Sequence, residues 1–316
     1  MNTHKSTARR KAIRDRHSFF GNNPLVVKLL NDIDRVATKN TPILLDGETG
    51  TGKSLLARKI HDLSQRKGPF VSINCATFSQ HLLEAELFGH AKGAFTGAKD
   101  ARKGLVATAQ NGTLFLDEIG ELPLDSQPKL LHLLEEKTIR PVGSDKEYNT
   151  SVRIVAATNK RLKNLVKQGL FRTDLYYRLN VVPFTTPPLR DRPDDIEALT
   201  NSFVCQLCEE HELATPSIST ESIKALKTYH WPGNIRELRN HIERSLLLNI
   251  PLHERLPVDD THSAATNNSC LKSHEKAQIL KAISESNGNK SQAALALGIS
   301  RRTLDRKLKR WREAAA

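Results

Sequence analysis

Apolar positions between residues 18 and 186 follow two alternating patterns. Short runs rich in Val, Ile, Leu and Phe, such as TPILLD and GTLFLDE, alternate with segments such as LVVKLLNDIDRVATK, in which apolar residues recur at helical spacing. The short runs predict buried strands, and the longer segments predict amphipathic helices. Helices are predicted at residues 25–39 and 54–64, and strands at residues 41–46, 70–75, 112–118 and 152–159. This alternation predicts an α/β domain whose parallel sheet is covered by helices on both faces.

The pattern changes near residue 187 and again after residue 250. Residues 187–250 show helical spacing only, so we expect a helical lid that follows the α/β part (residues 18–186) and completes a domain spanning residues 18–250. The stretch PLHERLPVDDTHSAATNNS is polar and has the composition of a linker, which we place at residues 251–271. Helical spacing returns in a small domain at residues 272–316.

Charge separates the two ends of the chain from its middle. The protein carries 48 Lys and Arg against 35 Asp and Glu, a net charge of +13. Residues 1–17 hold six Lys/Arg and one acid, and residues 271–316 hold eleven Lys/Arg and four acids, so almost all of the excess lies there. Basic ends are typical of nucleic-acid-binding arms and modules, although the N-terminal tail also fits a solvated, disordered segment.

The composition indicates neither a membrane protein nor a secreted scaffold. The chain has no run of about 18 apolar residues, and its basic N-terminus lacks the apolar core and cleavage site of a secretory signal. Its four cysteines form no paired C-x-x-C sets, which argues against a disulfide framework or a zinc ribbon. We therefore expect a cytoplasmic protein.

The stretch GETGTGKS, which follows the predicted strand TPILLD, fits the P-loop pattern G-x-x-x-x-G-K-[ST]. Glycines let such a loop wrap its backbone N–H groups around phosphate oxygens at the start of the next helix. Lys53 would neutralise the β- and γ-phosphates of ATP, and Ser54 would ligate Mg²⁺. The predicted nucleotide-binding residues of this loop are Gly47, Glu48, Thr49, Gly50, Thr51, Gly52, Lys53, Ser54 and Leu55. The alternative is a glycine-rich turn that binds no ligand.

Polar residues end two further predicted strands. GTLFLDEIGELP ends its strand in Asp117 and Glu118, and we expect Asp117 to hold Mg²⁺ and Glu118 to polarise the attacking water. VRIVAATN ends in Thr158 and Asn159, neutral side chains that would sense the γ-phosphate. The alternatives are two solvated loop acids for the first strand and a cap of the next helix for the second.

Six motifs in a fixed order carry a family resemblance: GETGTGKS, ELFGHAKGAFTGA, GTLFLDEIGELP, GLFRTDLYYRLNVV, PPLRDRPDDI and WPGNIRELRN. Together they resemble the AAA+ domain of bacterial enhancer-binding proteins, the activators of sigma-54 RNA polymerase. The resemblance covers about residues 18–250 and implies an AAA+ P-loop NTPase fold with a helical lid. GAFTGA is the family's own signature, and the sigma-54 contact it implies consists of Gly93, Ala94, Phe95, Thr96, Gly97 and Ala98.

The resemblance also implies roles for residues that the patterns alone leave open. Asn74 matches the family's switch asparagine, which holds Glu118 in one nucleotide state and releases it in another. Arg172 and Arg178 match arginine fingers that reach a neighbouring subunit's nucleotide, and Arg236 matches the sensor arginine of the lid. Taken singly, each arginine also fits a surface ion pair. A finger supplied by a neighbour implies a closed ring, which in this family is a hexamer.

The last 45 residues predict a DNA-binding module. A helix at residues 275–286, a break at Gly288, a short helix at residues 291–297 and a basic helix from Arg301 form a helix-turn-helix. This end resembles the Fis-type domain of the same family, which implies dimeric binding to a palindromic upstream site. Expected DNA contacts are Ser300, Arg301, Arg302, Thr303, Arg306, Lys307, Lys309 and Arg310. Asp305 departs from the aromatic residue usual in the family, and a merely solvated basic helix is the alternative.

Two functions fit these features. The first is an ATP-driven activator that binds an upstream enhancer, forms a ring and remodels the closed sigma-54 polymerase complex. The second is a DNA-binding AAA+ ATPase of the replication-initiator or helicase-loader type, and GAFTGA favours the first. Because only about 17 residues precede the AAA+ domain, we expect no N-terminal sensory domain. Control would then come from a trans-acting partner protein, from a co-subunit or from the level of expression.

Overall fold

A computed structural model of the chain describes residues 21–94, 100–254, 256 and 292, except for the side chains of Gln80 and His81. The chain divides into two compact units, residues 1–256 and 257–316. The predicted N-terminal tail (residues 1–17) and the predicted helix-turn-helix lie outside the described residues, apart from residue 292. Among the described residues, none of the helices has the length and hydropathy of a membrane span.

The strands of the described residues form one five-stranded parallel sheet and two short antiparallel hairpins. In chain order they are β1 (Ile43–Asp46), β2 (Phe70–Asn74), β3 (Gly89–His90), β4 (Arg102–Lys103), β5 (Thr113–Asp117), β6 (Thr138–Ile139), β7 (Tyr148–Asn149), β8 (Arg153–Thr158) and β9 (Val182–Thr185). The sheet order is β2-β5-β8-β1-β9, and β3 pairs with β4 as β6 pairs with β7. The order brings the carboxyl ends of β1, β5 and β8 to one edge of the sheet, where ligands of open α/β sheets bind.

Helices precede, connect and follow the strands. They are α1 (Pro24–Val36), α2 (Lys53–Leu63), α3 (Gln80–Phe88), α4 (Leu105–Thr108), α5 (Gln127–Glu136), α6 (Leu162–Lys167), α7 (Thr173–Leu179), α8 (Asp195–Glu210), α9 (Thr220–Thr228) and α10 (Asn234–Leu247). The helix α1 begins where Asn23 accepts a hydrogen bond from the Leu25 N–H and where Pro24 needs no backbone partner. The last three helices form the lid.

In the part of the chain that the structure describes, buried apolar side chains form three separate cores. Alternate residues of one strand enter different cores: Leu114 and Leu116 pack on one face of the sheet, and Phe115 packs on the other. The sheet is thus buried on both faces, as parallel sheets are. The third core belongs to the lid and centres on Trp231, which is fully buried and donates its indole N–H to the Leu226 carbonyl at 2.8 Å.

The α/β fold with a helical lid is confirmed, and each predicted helix and strand of the AAA+ part is present. The edge strand β9 was not predicted. Its sequence VPFT contains Pro183, which argues against a strand because proline cannot donate to the ladder. The structure accommodates Pro183 because β9 pairs with β1 alone at the edge of the sheet.

Candidate active site

A cleft of about 390 Å³ lies between the P-loop, the ends of β2 and β5, and the lid helices α8 and α10. Most of the residues predicted to bind nucleotide lie in its wall or directly behind it. A larger cleft of about 600 Å³ lies beside the two hairpins and contains none of the predicted catalytic or nucleotide-binding residues. The chemistry expected from the sequence therefore belongs to the smaller cleft.

The P-loop joins β1 to α2 and encloses the Lys53 side chain. Lys53 is buried, and its ammonium group donates to the carbonyls of Gly47 at 2.8 Å and Glu48 at 3.0 Å. Burial lowers the pKa of Lys53, while the charges of Glu118 and Asp117 act in the opposite direction. An ammonium group held among carbonyls at the start of a helix has the chemistry to bind phosphate.

The two acids at the end of β5 occupy different positions. Asp117 accepts a hydrogen bond from the Ser54 hydroxyl at 3.4 Å and from the Glu118 backbone N–H at 3.1 Å. Glu118 adopts a left-handed conformation with φ +52°, and its carboxylate accepts the Asn159 N–H at 3.2 Å. A left-handed non-glycine residue costs about 1–2 kcal/mol, and Glu118 is held there by its neighbours.

Asn159, which follows β8, connects that strand to the P-loop. Its side-chain amide donates to the Thr49 hydroxyl at 3.0 Å while its backbone N–H binds Glu118. Asn74 also faces the cleft. Its side-chain oxygen, however, accepts the Ala76 N–H at 2.8 Å, and the hydrogen bonds of the described residues include none between Asn74 and Glu118.

Other P-loop residues contact the protein around the cleft. The Glu48 carboxylate binds Arg190 through two hydrogen bonds of 2.8 and 2.5 Å. The Thr51 hydroxyl lies 2.8 Å from that of Thr186 and donates to the Glu48 carbonyl at 2.8 Å. Leu55 is half exposed in the cleft wall. Glu48 was predicted to bind nucleotide, and the structure directs its side chain towards the lid.

The lid supplies one predicted residue and four that the sequence did not indicate. Arg236, at the start of α10, lines the cleft as predicted. The lid residues that sequence reasoning missed are Phe203, Ile235, Arg239 and Asn240. Arg239 also pairs with Glu210 at 3.3 Å and with Glu243 at 3.4 Å. The helical spacing of α10 places Arg239 and Asn240 near Arg236, which is the signal that could have found them.

The predicted arginine fingers do not line this cleft. Arg172 is half exposed and pairs with Asp174 at 2.7 Å, which raises the pKa of the guanidinium. Arg178 lies six residues further along the chain, in the last turn of α7, and donates to the Leu134 carbonyl at 3.5 Å. Arg172 and Tyr177 instead line a shallow, open hollow on the surface.

The structure describes only the base of the GAFTGA segment. Ala94 lies against Gly143, in the turn between β6 and β7. The approach is so close that a Cβ atom added to Gly143 would lie 2.7 Å from the Ala94 Cβ. The hydrogen bond from the Ala91 N–H to the Val142 carbonyl, 2.9 Å, joins the same two segments. Gly93 has open space around it. The residues that lie outside the described ones are Phe95, Thr96, Gly97 and Ala98, together with the predicted DNA contacts between Ser300 and Arg310.

Three family models match successive parts of the chain. The model described as the sigma-54 interaction domain matches residues 19–185, and that of the AAA+ ATPase lid domain matches residues 190–276. The model described as bacterial regulatory protein, Fis family, matches residues 271–311.

Curated proteins and solved structures show similar matches. The chain is 43% identical to the regulatory protein AtoC of Escherichia coli, over 92% of this chain and 67% of AtoC. It is 43% identical to the DNA-binding transcriptional activator HyfR of the same organism, over 89% of this chain and 46% of HyfR. The chain thus spans about two thirds of one relative and less than half of the other. The crystal structure of NtrX from Brucella abortus in complex with ATP has a TM-score of 0.70 and 32% identity, covering 96% of this chain and 72% of NtrX. An NtrX structure in complex with ADP has a TM-score of 0.71.

Proposed function

Since the chain belongs to the family of regulators built on a sigma-54 interaction domain, we propose that it activates transcription by using ATP hydrolysis to remodel sigma-54 RNA polymerase. The sequence signature GAFTGA at residues 93–98 and the match of residues 271–311 to the Fis family support this function. A replication initiator or helicase loader shares the P-loop but gives no reason for GAFTGA.

The observation that carries the ATPase proposal is the convergence of Lys53, Asp117, Glu118 and Arg236 on one cleft. NtrX structures with ADP and ATP support a nucleotide in the corresponding fold. Lys53 and Arg236 would bind the phosphates, and Glu118 would accept a proton from the attacking water. Asn159, which already contacts Glu118 and Thr49, would orient that water or the γ-phosphate.

Ser54 and Asp117 are suited to hold Mg²⁺. Their hydroxyl and carboxylate oxygens lie 3.4 Å apart at the end of β5, and hard oxygen ligands of this kind are those that Mg²⁺ prefers. Ser54 and Asp117 would hold the ion, which would supply positive charge beside the phosphates where negative charge develops during transfer.

The positions of Arg172 and Arg178 support assembly into a ring. Both lie outside the cleft of their own chain, and an arginine that stabilises the transferred phosphoryl group must reach it directly. We infer that they act on the nucleotide of a neighbouring copy and that the working form is a closed ring, a hexamer. DNA would be bound by the predicted basic helix from Arg301, and sigma-54 by the GAFTGA segment.

Open-complex formation on a sigma-54 promoter, with purified polymerase and ATP, tests this function. Thr96→Ala is expected to retain ATPase activity and to lose open complexes, because the change lies in the proposed polymerase contact and leaves the predicted catalytic residues unchanged. Glu118→Gln is the matched control, expected to bind ATP without hydrolysing it. Unchanged open-complex formation by Thr96→Ala would exclude the proposed polymerase contact, and an inactive wild-type chain would exclude the proposed function.

A further inference from the structure

One buried amide connects the lid to the P-loop. Asn234 is the first residue of α10, is fully buried and has a left-handed backbone with φ +53°. Its side-chain oxygen accepts the Leu189 N–H at 2.8 Å. Its side-chain nitrogen donates to the Glu48 carboxylate at 3.1 Å and to the Thr49 carbonyl at 3.0 Å. A single side chain therefore binds the first residues of the lid, at Leu189, and two consecutive P-loop residues, Glu48 and Thr49.

The Glu48 carboxylate is shared between Asn234 and Arg190. The two hydrogen bonds from Arg190 and the one from Asn234 all lower the pKa of Glu48, and those from Arg190 have the larger effect. Both lid residues hold the same carboxylate, so the side chain of Glu48 is committed to the lid.

The backbone of the lid reaches the next P-loop residue. The Ile235 N–H donates to the Gly50 carbonyl at 3.0 Å. A Cβ atom at Gly50 would lie 2.2 Å from the Gly233 carbonyl oxygen, and Gly50 has φ +80°. The turn formed by residues 231–234 therefore lies against the P-loop so closely that only glycine fits.

We propose that Asn234 is a positioning residue that fixes the conformation of the P-loop by binding Glu48 and Thr49, so that the lid turn and the phosphate-binding loop move together. The proposal rests on the proposed nucleotide-binding function of the P-loop and assigns Glu48 to the lid contact. Thr49 extends the connection, because its hydroxyl accepts the amide of Asn159 at the end of β8. A displacement of the lid turn is thus passed to the residue that holds Glu118.

Asn234→Asp isolates this role. Aspartate has the same size, tolerates the left-handed backbone and keeps an acceptor for the Leu189 N–H. It loses both donors and places a carboxylate beside that of Glu48. The matched control is Asn249→Asp, since Asn249 is exposed, lies just beyond the other end of α10 and also has a left-handed backbone, φ +50°.

Hydrogen exchange of the P-loop, measured without nucleotide, is the first readout. Asn234→Asp is expected to speed exchange in residues 47–52 about tenfold or more, a change of about 1.4 kcal/mol in local opening, while Asn249→Asp leaves it unchanged. The second readout is the titration of a fluorescent ATP analogue, for which Asn234→Asp is expected to raise Kd about tenfold. Glu48→Gln in the Asn234→Asp background is expected to restore much of both losses, because glutamine can donate to the new aspartate.

The outcomes separate the two proposals. Exchange and Kd equal to those of the wild type in Asn234→Asp, or no recovery in the double variant, overturn the positioning role. Failure of the wild-type chain to bind the analogue overturns the nucleotide function, whereas the exchange result still decides the role of Asn234. Should Asn234→Asp not fold, Glu48→Ala is the second variant, because Glu48 is half exposed and its truncation leaves the lid core intact. Faster exchange in residues 47–52 supports the proposal there too, and unchanged exchange refutes it.

Discussion

Replacement of Trp231 by phenylalanine tests how far the lid depends on one side chain. The loss of the indole N–H leaves the Leu226 carbonyl without its donor, which costs about 1–3 kcal/mol in a buried position. The centroids of the Tyr229 and His241 rings lie 4.9 and 5.9 Å from that of the indole, so the smaller phenyl ring leaves a cavity beside them. This cavity lowers the free energy of unfolding by about 1–2 kcal/mol more. Both residues at position 231 would have the left-handed backbone, so its strain cancels in the comparison. The expected loss is about 2–5 kcal/mol.

Urea unfolding followed by circular dichroism measures this loss. Tyr148→Phe serves as the control, because Tyr148 is half exposed on a hairpin and its change should stay within about 0.5 kcal/mol. The lid of Trp231→Phe should unfold at a lower urea concentration than that of the wild type, and this variant should also bind nucleotide more weakly. A stability within about 0.5 kcal/mol of the wild type would mean that Trp231 does not hold the lid turn.

Two further predictions follow from single residues of the P-loop. Gly50→Ala should abolish binding of a fluorescent ATP analogue, because the added Cβ would clash with Gly233. Gly169→Ala is the control and should bind the analogue normally, since Gly169 has a similar left-handed backbone but open space around it. Equal binding by the two variants would refute the steric argument. Burial lowers the pKa of Lys53 in the folded state, whereas in the unfolded chain its pKa stays near about 10.4. At pH values between these two pKa values the unfolded chain binds more protons at Lys53, so the contribution of Lys53 to stability rises with pH. Urea unfolding of Lys53→Met from about pH 8 to pH 10 should therefore show a flatter rise than the wild type, and parallel profiles would contradict the assigned cause.

The sequence predicted those parts of the site that depend on local pattern. The strand before GETGTGKS and the two acids that end GTLFLDE lie where the spacing placed them, because a buried parallel strand fixes the position of the residue at its end. The side chain of Glu48 could not be placed in this way. Its partner Asn234 is 186 residues away, and only the folded lid brings the two together.

Asn74 and the arginines show a second limit of local pattern. Their predicted roles came from resemblance and concern contacts that change with the nucleotide or come from another copy of the chain. The structure places Asn74 in the cleft and Arg172 outside it, and both positions agree with those roles without testing them. The strand β9 was missed for a different reason, since Pro183 suits an edge strand that sequence periodicity does not distinguish from a loop.

The separate core of the lid has an energetic consequence. All its members lie between residues 189 and 256, whereas the contacts of Glu48 with Arg190 and Asn234 are polar. Rotation of the lid away from the P-loop would break hydrogen bonds that water can replace, and it would leave the apolar core closed. The free energy of such opening should then be small beside the roughly 5–15 kcal/mol that unfolds a domain. A ligand at about 100 times its Kd stabilises the conformation that binds it by about 2.7 kcal/mol. Nucleotide binding would therefore reverse the balance between the closed and the open lid wherever the two differ by less than that free energy.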